Sequence, residues 1–138
     1  MIYVLTYDAP HRKTQDLLFR LKIKGYDNVT VLGLPWIKRK NFKPLIPHRH
    51  FNTLDIVPAK LCEKLNFKFF NVSINDVKIK NELMLIGGSG ILPSKLVQSG
   101  KIINSHPAYL PYVRGLDSLK WAIYYGKPIG VTTHLISE

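Results

Sequence analysis

Two apolar runs, Ile2-Tyr3-Val4-Leu5-Thr6-Tyr7 and Val29-Thr30-Val31-Leu32-Gly33-Leu34, enclose a single helical stripe, and this opening leaves the chain few ways to fold. A strand covered on both faces reads as a continuous apolar run rather than an alternation. Between the runs, Leu17, Leu18 and Leu21 recur at helical spacing, and Gly25 supplies a stop. Thr14 is the expected helix N-cap, with Asp16 favourable in the first turn. Strand, helix and strand in this order predict a parallel pair joined by a crossover. Leu83-Met84-Leu85-Ile86-Gly87 reads as a further central strand by the same logic. The expected fold class is α/β: a doubly wound, mostly parallel open sheet with helices on both faces, one domain over 1–138.

The remaining segments fill in this plan. Ala59–Leu65 is a short amphipathic helix, Phe67–Val72 a strand, and Ser73–Asp76 a turn or linking helix. A short helix from Pro93 closes at Gly100, and Ile102-Ile103 opens the next strand. Leu116–Tyr125 is read as a helix with Leu116, Leu119 and Ile123 inward, Trp121 in the core, and Gly126 as its stop. Gly130–Ile136, alternating and β-branched, is the last strand. No G-x-G-x-x-G follows the first strand. Gly87-Gly88-Ser89-Gly90 comes too late for one and lacks the Gly-Lys-Ser/Thr ending of a phosphate loop, so dinucleotide and nucleoside triphosphate sites are poor readings.

Charge points to an anionic partner. Twenty Lys and Arg against nine Asp and Glu give a net charge of +11. The surplus is concentrated before residue 51, where ten basic groups face three acidic ones. Such a field suits a phosphorylated small molecule, a polyglutamylated folate or RNA, and equally a generally basic surface. His11, Arg12 and Lys13, with Lys38, Arg39 and Lys40, are the candidates to hold a substrate anion. The second group opens a basic, proline-rich loop over 38–50 that reads either as an anion-gripping arm or as a solvated loop. His48-x-His50 lies in it without a nearby cysteine, and no metal site is expected. A lone Cys62 cannot form an internal disulfide, which suits a reducing cytoplasm. No apolar run is long enough to span a bilayer, and Met1–Thr6 enters a strand pattern without a basic leader.

The chemistry gathers where Ile102-Ile103 breaks into Asn104-Ser105-His106-Pro107. Residues two apart on a strand share a face, so Asn104 and His106 project together at the strand's carboxyl end. That edge of an open α/β sheet is where ligands bind. A carboxamide can hold a developing oxyanion, and an imidazole, titrating near ~6.5, can move a proton at neutral pH. Together they make a minimal acyl-transfer site. The glycines after Ile86 let the backbone approach a ligand closely.

Asn104-x-His106-Pro107, then Leu110-Pro111 and Arg114-Gly115, then Trp121-Ala122-Ile123 and Gly130-Val131-Thr132-Thr133-His134, resemble the formyltransferase family. That family includes the glycinamide ribonucleotide, methionyl-tRNA and sugar N-formyltransferases, all of which use 10-formyltetrahydrofolate. The resemblance runs through the residues from Leu83 to His134 and is topological before them. It implies a Rossmann-like formyltransferase fold, with the amine substrate served by 1–80 and the formyl-folate by 81–138. Asn104 and His106 would be catalytic. Thr132 and His134 would support them or act as hydrogen-bonded structural residues, and Arg114 would hold the loop or, less readily, an anion. Ile86, Gly87, Gly88, Ser89, Gly90, Ile91 and Leu92 would wall the pterin pocket. Relatives often carry an aromatic and an arginine where Gly88-Ser89-Gly90 stand, which implies a roomier pocket here.

The family's catalytic aspartate follows shortly after the Gly-Val-Thr-x-His strand. The sequence reaches Glu138 before it and Asp117 is a poor substitute, so the sequence is either a shortened piece of a longer enzyme or one that has lost the full triad, and efficient turnover is not expected of the chain as it stands. The expected acceptor is a primary amine on a phosphorylated small molecule, an amino-sugar nucleotide before others. The Asp8–Thr14 segment departs from the glycine-rich loop of the glycinamide ribonucleotide enzymes. Methionyl-tRNA formylation is the alternative that the basic 38–50 loop favours, although 138 residues leave no room for those enzymes' further RNA-binding domain. A non-catalytic folate-binding module is the third reading.

Overall fold

The computed structural model of the protein describes residues 1–36 and 54–137. Its elements, in chain order, are β1 (Ile2–Tyr7), α1 (Arg12–Ile23), β2 (Val29–Leu34), α2 (Pro58–Leu65) and β3 (Lys68–Asn71). A 3-10 turn at Ile74–Asp76 then leads to β4 (Leu83–Ile86), α3 (Ser94–Val97), β5 (Lys101–His106), α4 (Ser118–Tyr124) and β6 (Thr132–Leu135). The six strands form one sheet in the order β3-β2-β1-β4-β5-β6. All neighbours are parallel except β5 and β6, which run antiparallel with Asn104 opposite His134 and His106 opposite Thr132. The chain winds outward from β1 to β3, then returns to add β4 on the other side of β1. The reversal opens a crevice beyond the carboxyl ends of β1 and β4, the usual place for a ligand in such a sheet.

Both faces of the central strands are covered, as their continuous apolar runs require. On one face Val4, Val29 and Val31 pack with Leu18 and Leu21 of α1 and Leu61, Cys62 and Phe67 at α2. On the other, Leu5, Leu32, Leu34, Met84, Ile86 and Ile102 pack with Val77, Ile79 and Leu96 of α3. Burial among these apolar groups pushes the Cys62 thiol up to about 12, so the residue behaves as a small hydrophobe. At the end of α1, Gly25 sits at φ +80°, and the Tyr26 amide donates back to the Leu21 carbonyl, a Schellman closure that the glycine permits. Among the described residues, no helix is long and apolar enough to cross a membrane.

Two local expectations are corrected. Thr14 does not cap α1: the helix begins two residues earlier after an extended His11, and Thr14 is buried inside it. In α4 the inward positions are Ser118 and Ala122, four apart, while Leu116, Leu119 and Ile123 are exposed at 74%, 51% and 65%. Trp121 also faces outward, stacked on Tyr125. The helix packs through a narrow seam of small residues onto Ala108 and Val113, so the wider apolar stripe falls on its outer side.

Candidate active site

A cleft of about 980 Å³ lies at the carboxyl edge of β1, β4 and β5. Its lining brings together Asn104 and His106 from β5, all seven residues from Ile86 to Leu92, and His11 and Lys13 from the start of α1. Arg12, Arg114, Thr132 and His134 are not among the lining residues. Lys38, Arg39 and Lys40, with His48 and His50, lie outside the described residues. Tyr7, Trp36 and Ile136 join the lining without having been singled out from the sequence, and Ser105 and Pro107 join it from the central motif. For Tyr7 a signal existed, since it ends the first strand at the same edge.

Hydrogen bonds orient both polar groups of β5. The Lys13 ammonium donates to the Asn104 Oδ1 at 3.3 Å and to the Ser105 carbonyl at 3.1 Å. With its oxygen so engaged, the carboxamide keeps its two N–H groups for other partners. At His106, Nε2 lies 3.3 Å from the Ser118 hydroxyl. That hydroxyl gives its one proton to the Gly115 carbonyl at 2.7 Å. Toward the ring it can therefore only accept. Nε2 of the neutral imidazole then carries the proton, and Nδ1 holds the free lone pair.

The His11 imidazole, from the residue before α1, also lines the cleft. Its Nδ1 is 2.9 Å from the Thr14 hydroxyl, which in turn is 2.5 Å from the hydroxyl of Thr6. Burial holds the His11 pKa below the usual imidazole value, and the Lys13 charge lowers it further. Lys13 is likewise depressed by burial. Arg12 turns away along α1 and pairs with Asp16 at 2.7 Å.

The Gly87-Gly88-Ser89-Gly90 loop divides in two. A Cβ on Gly87 would meet the Thr14 hydroxyl at 2.8 Å, and one on Gly88 would meet the Tyr7 ring at 2.9 Å. These two glycines let the end of β4 close onto α1 and Tyr7. Their amides are already bonded to the Leu5 carbonyl, at 2.8 and 3.1 Å. The amides of Ser89, Gly90, Ile91 and Leu92 make no hydrogen bond within the described residues. Around Gly90 a Cβ would meet nothing within 4 Å. The part of the loop open to a ligand is thus 89–92.

The groups expected to support the site sit one strand over. Thr132 donates to the Ala108 carbonyl at 2.7 Å and accepts from the Leu110 amide at 3.0 Å, which pins the segment beyond His106. His134 Nδ1 lies 3.1 Å from the neighbouring Leu135 carbonyl. Arg114 is exposed in the loop before α4.

No family model matches the chain. Solved structures do. A 4-N formyltransferase from Francisella tularensis superposes with a TM-score of 0.60 at 24% identity, over 99% of this chain and 50% of that one. A sugar N-formyltransferase from a Shewanella species gives a TM-score of 0.58 at 19% identity, over 100% of this chain and 52% of that one. A phosphoribosylglycinamide formyltransferase from Campylobacter jejuni gives 0.60 at 17%, over 100% of this chain and 74% of that one. The chain thus spans about half the length of the first two proteins. It has the formyltransferase fold, a mostly parallel six-stranded α/β sheet.

Proposed function

We propose that this chain, which has the formyltransferase fold, is a domain that moves a formyl group from 10-formyltetrahydrofolate to a primary amine. The acceptor class we favour is a phosphorylated small molecule, an amino-sugar nucleotide before others. The observation that carries the reading is the placement of Asn104 and His106 side by side at the end of β5, in a cleft that the 86–92 segment also lines. Residues 81–138 would serve the formyl-folate and 1–80 the amine. The cleft's volume of about 980 Å³ suits a sizeable ligand, and the four open amides at 89–92 suit the polar edge of a pterin ring.

In the transfer, a C–N bond forms between the acceptor amine and the formyl carbon, and the bond from that carbon to the folate nitrogen breaks. The Asn104 N–H groups stabilise the formyl oxygen as it becomes anionic. His106, through Nδ1, takes the proton that the amine sheds and returns it to the departing nitrogen. The Lys13 ammonium, on the cleft lining, disfavours protonation of the bound amine and so keeps the nucleophile available.

The test is a formyl-transfer assay with 10-formyltetrahydrofolate and amino-sugar nucleotides on the full-length protein. Asn104→Ala should lower kcat by about two to three decades. His106→Ala should abolish measurable turnover while folate binding, followed by calorimetry, persists. A protein that ignored folate and bound RNA with steep salt dependence would overturn the reading.

A further inference from the structure

We infer that Lys13 is a positioning residue for Asn104: its ammonium fixes which edge of the carboxamide faces the cleft. The catalytic consequence rests on the formyl-transfer reading above, but the geometry stands apart from it. A carboxamide has nearly the same shape with its oxygen and nitrogen exchanged, so packing alone selects neither orientation. Only the orientation that offers N–H groups to the cleft can stabilise an oxyanion.

The Lys13–Asn104 contact breaks this symmetry. An ammonium has three donors and no acceptor, so it can meet only the oxygen edge of the amide. Flipping Asn104 would set its NH₂ against Lys13, donor against donor. The ammonium itself is anchored by a second bond, to the Ser105 carbonyl at 3.1 Å. The contact joins the first turn of α1 to β5, 91 residues apart in sequence, and so ties the two walls of the cleft together. Lys13 is only partly exposed, and among the described residues no carboxylate pairs with it. A side chain held this way differs from a solvated lysine that waits for a substrate phosphate. A cation on the carbonyl oxygen also polarises the amide and strengthens its N–H groups as donors.

Two readouts test the assignment. In a ¹⁵N–¹H spectrum, the side-chain NH₂ pair of Asn104 is identified by its loss in Asn104→Ala. In Lys13→Met that pair should move to the values of a free amide, while Lys13→Arg, which keeps charged donors, holds it near its original place. If the pair stays in place in a folded Lys13→Met, the inference is overturned. Should Lys13→Met fail to fold, Lys13→Ala, which likewise removes the donor, replaces it under the same criterion. In the transfer assay, Lys13→Met should lower kcat by about tenfold or more with the acceptor KM within about twofold. A large rise in acceptor KM with kcat intact would instead make Lys13 an anion-gripping residue and overturn the positioning role. A wild-type protein without formyl transfer would sink the proposed function, and the amide spectrum would still decide whether Lys13 orients Asn104.

Discussion

At His11 the cleft wall holds an imidazole where charging it is costly. Burial lowers its folded-state pKa, with Lys13 adding to the effect. An unfolded His11 takes up a proton as pH falls through ~6.5, while the folded one resists until lower pH. In that window the unfolded state binds more protons, so His11 stabilises the fold above ~6.5 and the contribution is lost as pH falls. Thermal melts from pH 8 to 5 should show a smaller acid-side loss of Tm in His11→Gln than in wild type. An unchanged slope would exclude His11 as a source of acid sensitivity. At this scale the sequence spoke clearly where local spacing decides the outcome. Asn104 and His106 stand two apart on a strand, and a strand puts them on one face. It was silent where a side chain chooses between partners. Nothing local told Lys13, which reaches Asn104, from Arg12, which pairs with Asp16.

The junction of β4 with α1 carries its own demand. Gly87 sits where a methyl group would press the Thr14 hydroxyl at 2.8 Å and the Leu5 carbonyl at 3.4 Å. The first of these is part of a buried hydroxyl pair, so it has little room to yield. Gly87→Ala should therefore cost about 1–3 kcal/mol in chemical denaturation, and Gly90→Ala, in open space, far less. Equal costs at the two positions would refute this account. The sequence placed β1, β2 and β4 well because each is an apolar run with marked ends. It misplaced the start of α1 because Thr14 has a cap's chemistry but spends it on Thr6 and His11. It misjudged α4 because Leu116, Leu119 and Ile123 form the better apolar stripe. The packed seam uses Ser118 and Ala122, whose small size allows close approach to Ala108 and Val113.

Across the whole molecule, the parallel class of the sheet was legible from the strand-helix-strand opening, while the strand order was not. Order depends on which edge β4 joins, and no local pattern encodes that choice. The +11 charge acts at this scale as well. If the acceptor is the anionic one proposed above, its association should slow by about tenfold when salt rises from ~0.05 to ~0.5 M, as followed by stopped flow, while dissociation changes less. A salt-independent on-rate would remove any steering role for the basic surface.

The chain has two tryptophans, and the fold sets them in different worlds. Trp121 stacks on Tyr125 at 5.7 Å on the outer side of α4, and Trp36 stands edge-on to Tyr7 at 5.0 Å on the lining of the cleft, with 51% of its surface in water. Indole emission shifts to the blue when water leaves the ring, so the molecule has a built-in optical gauge of occupancy. In Trp121→Phe, any compound that fills the space beside Tyr7 should change the remaining fluorescence, and titrating that change would rank unknown ligands before any turnover assay exists.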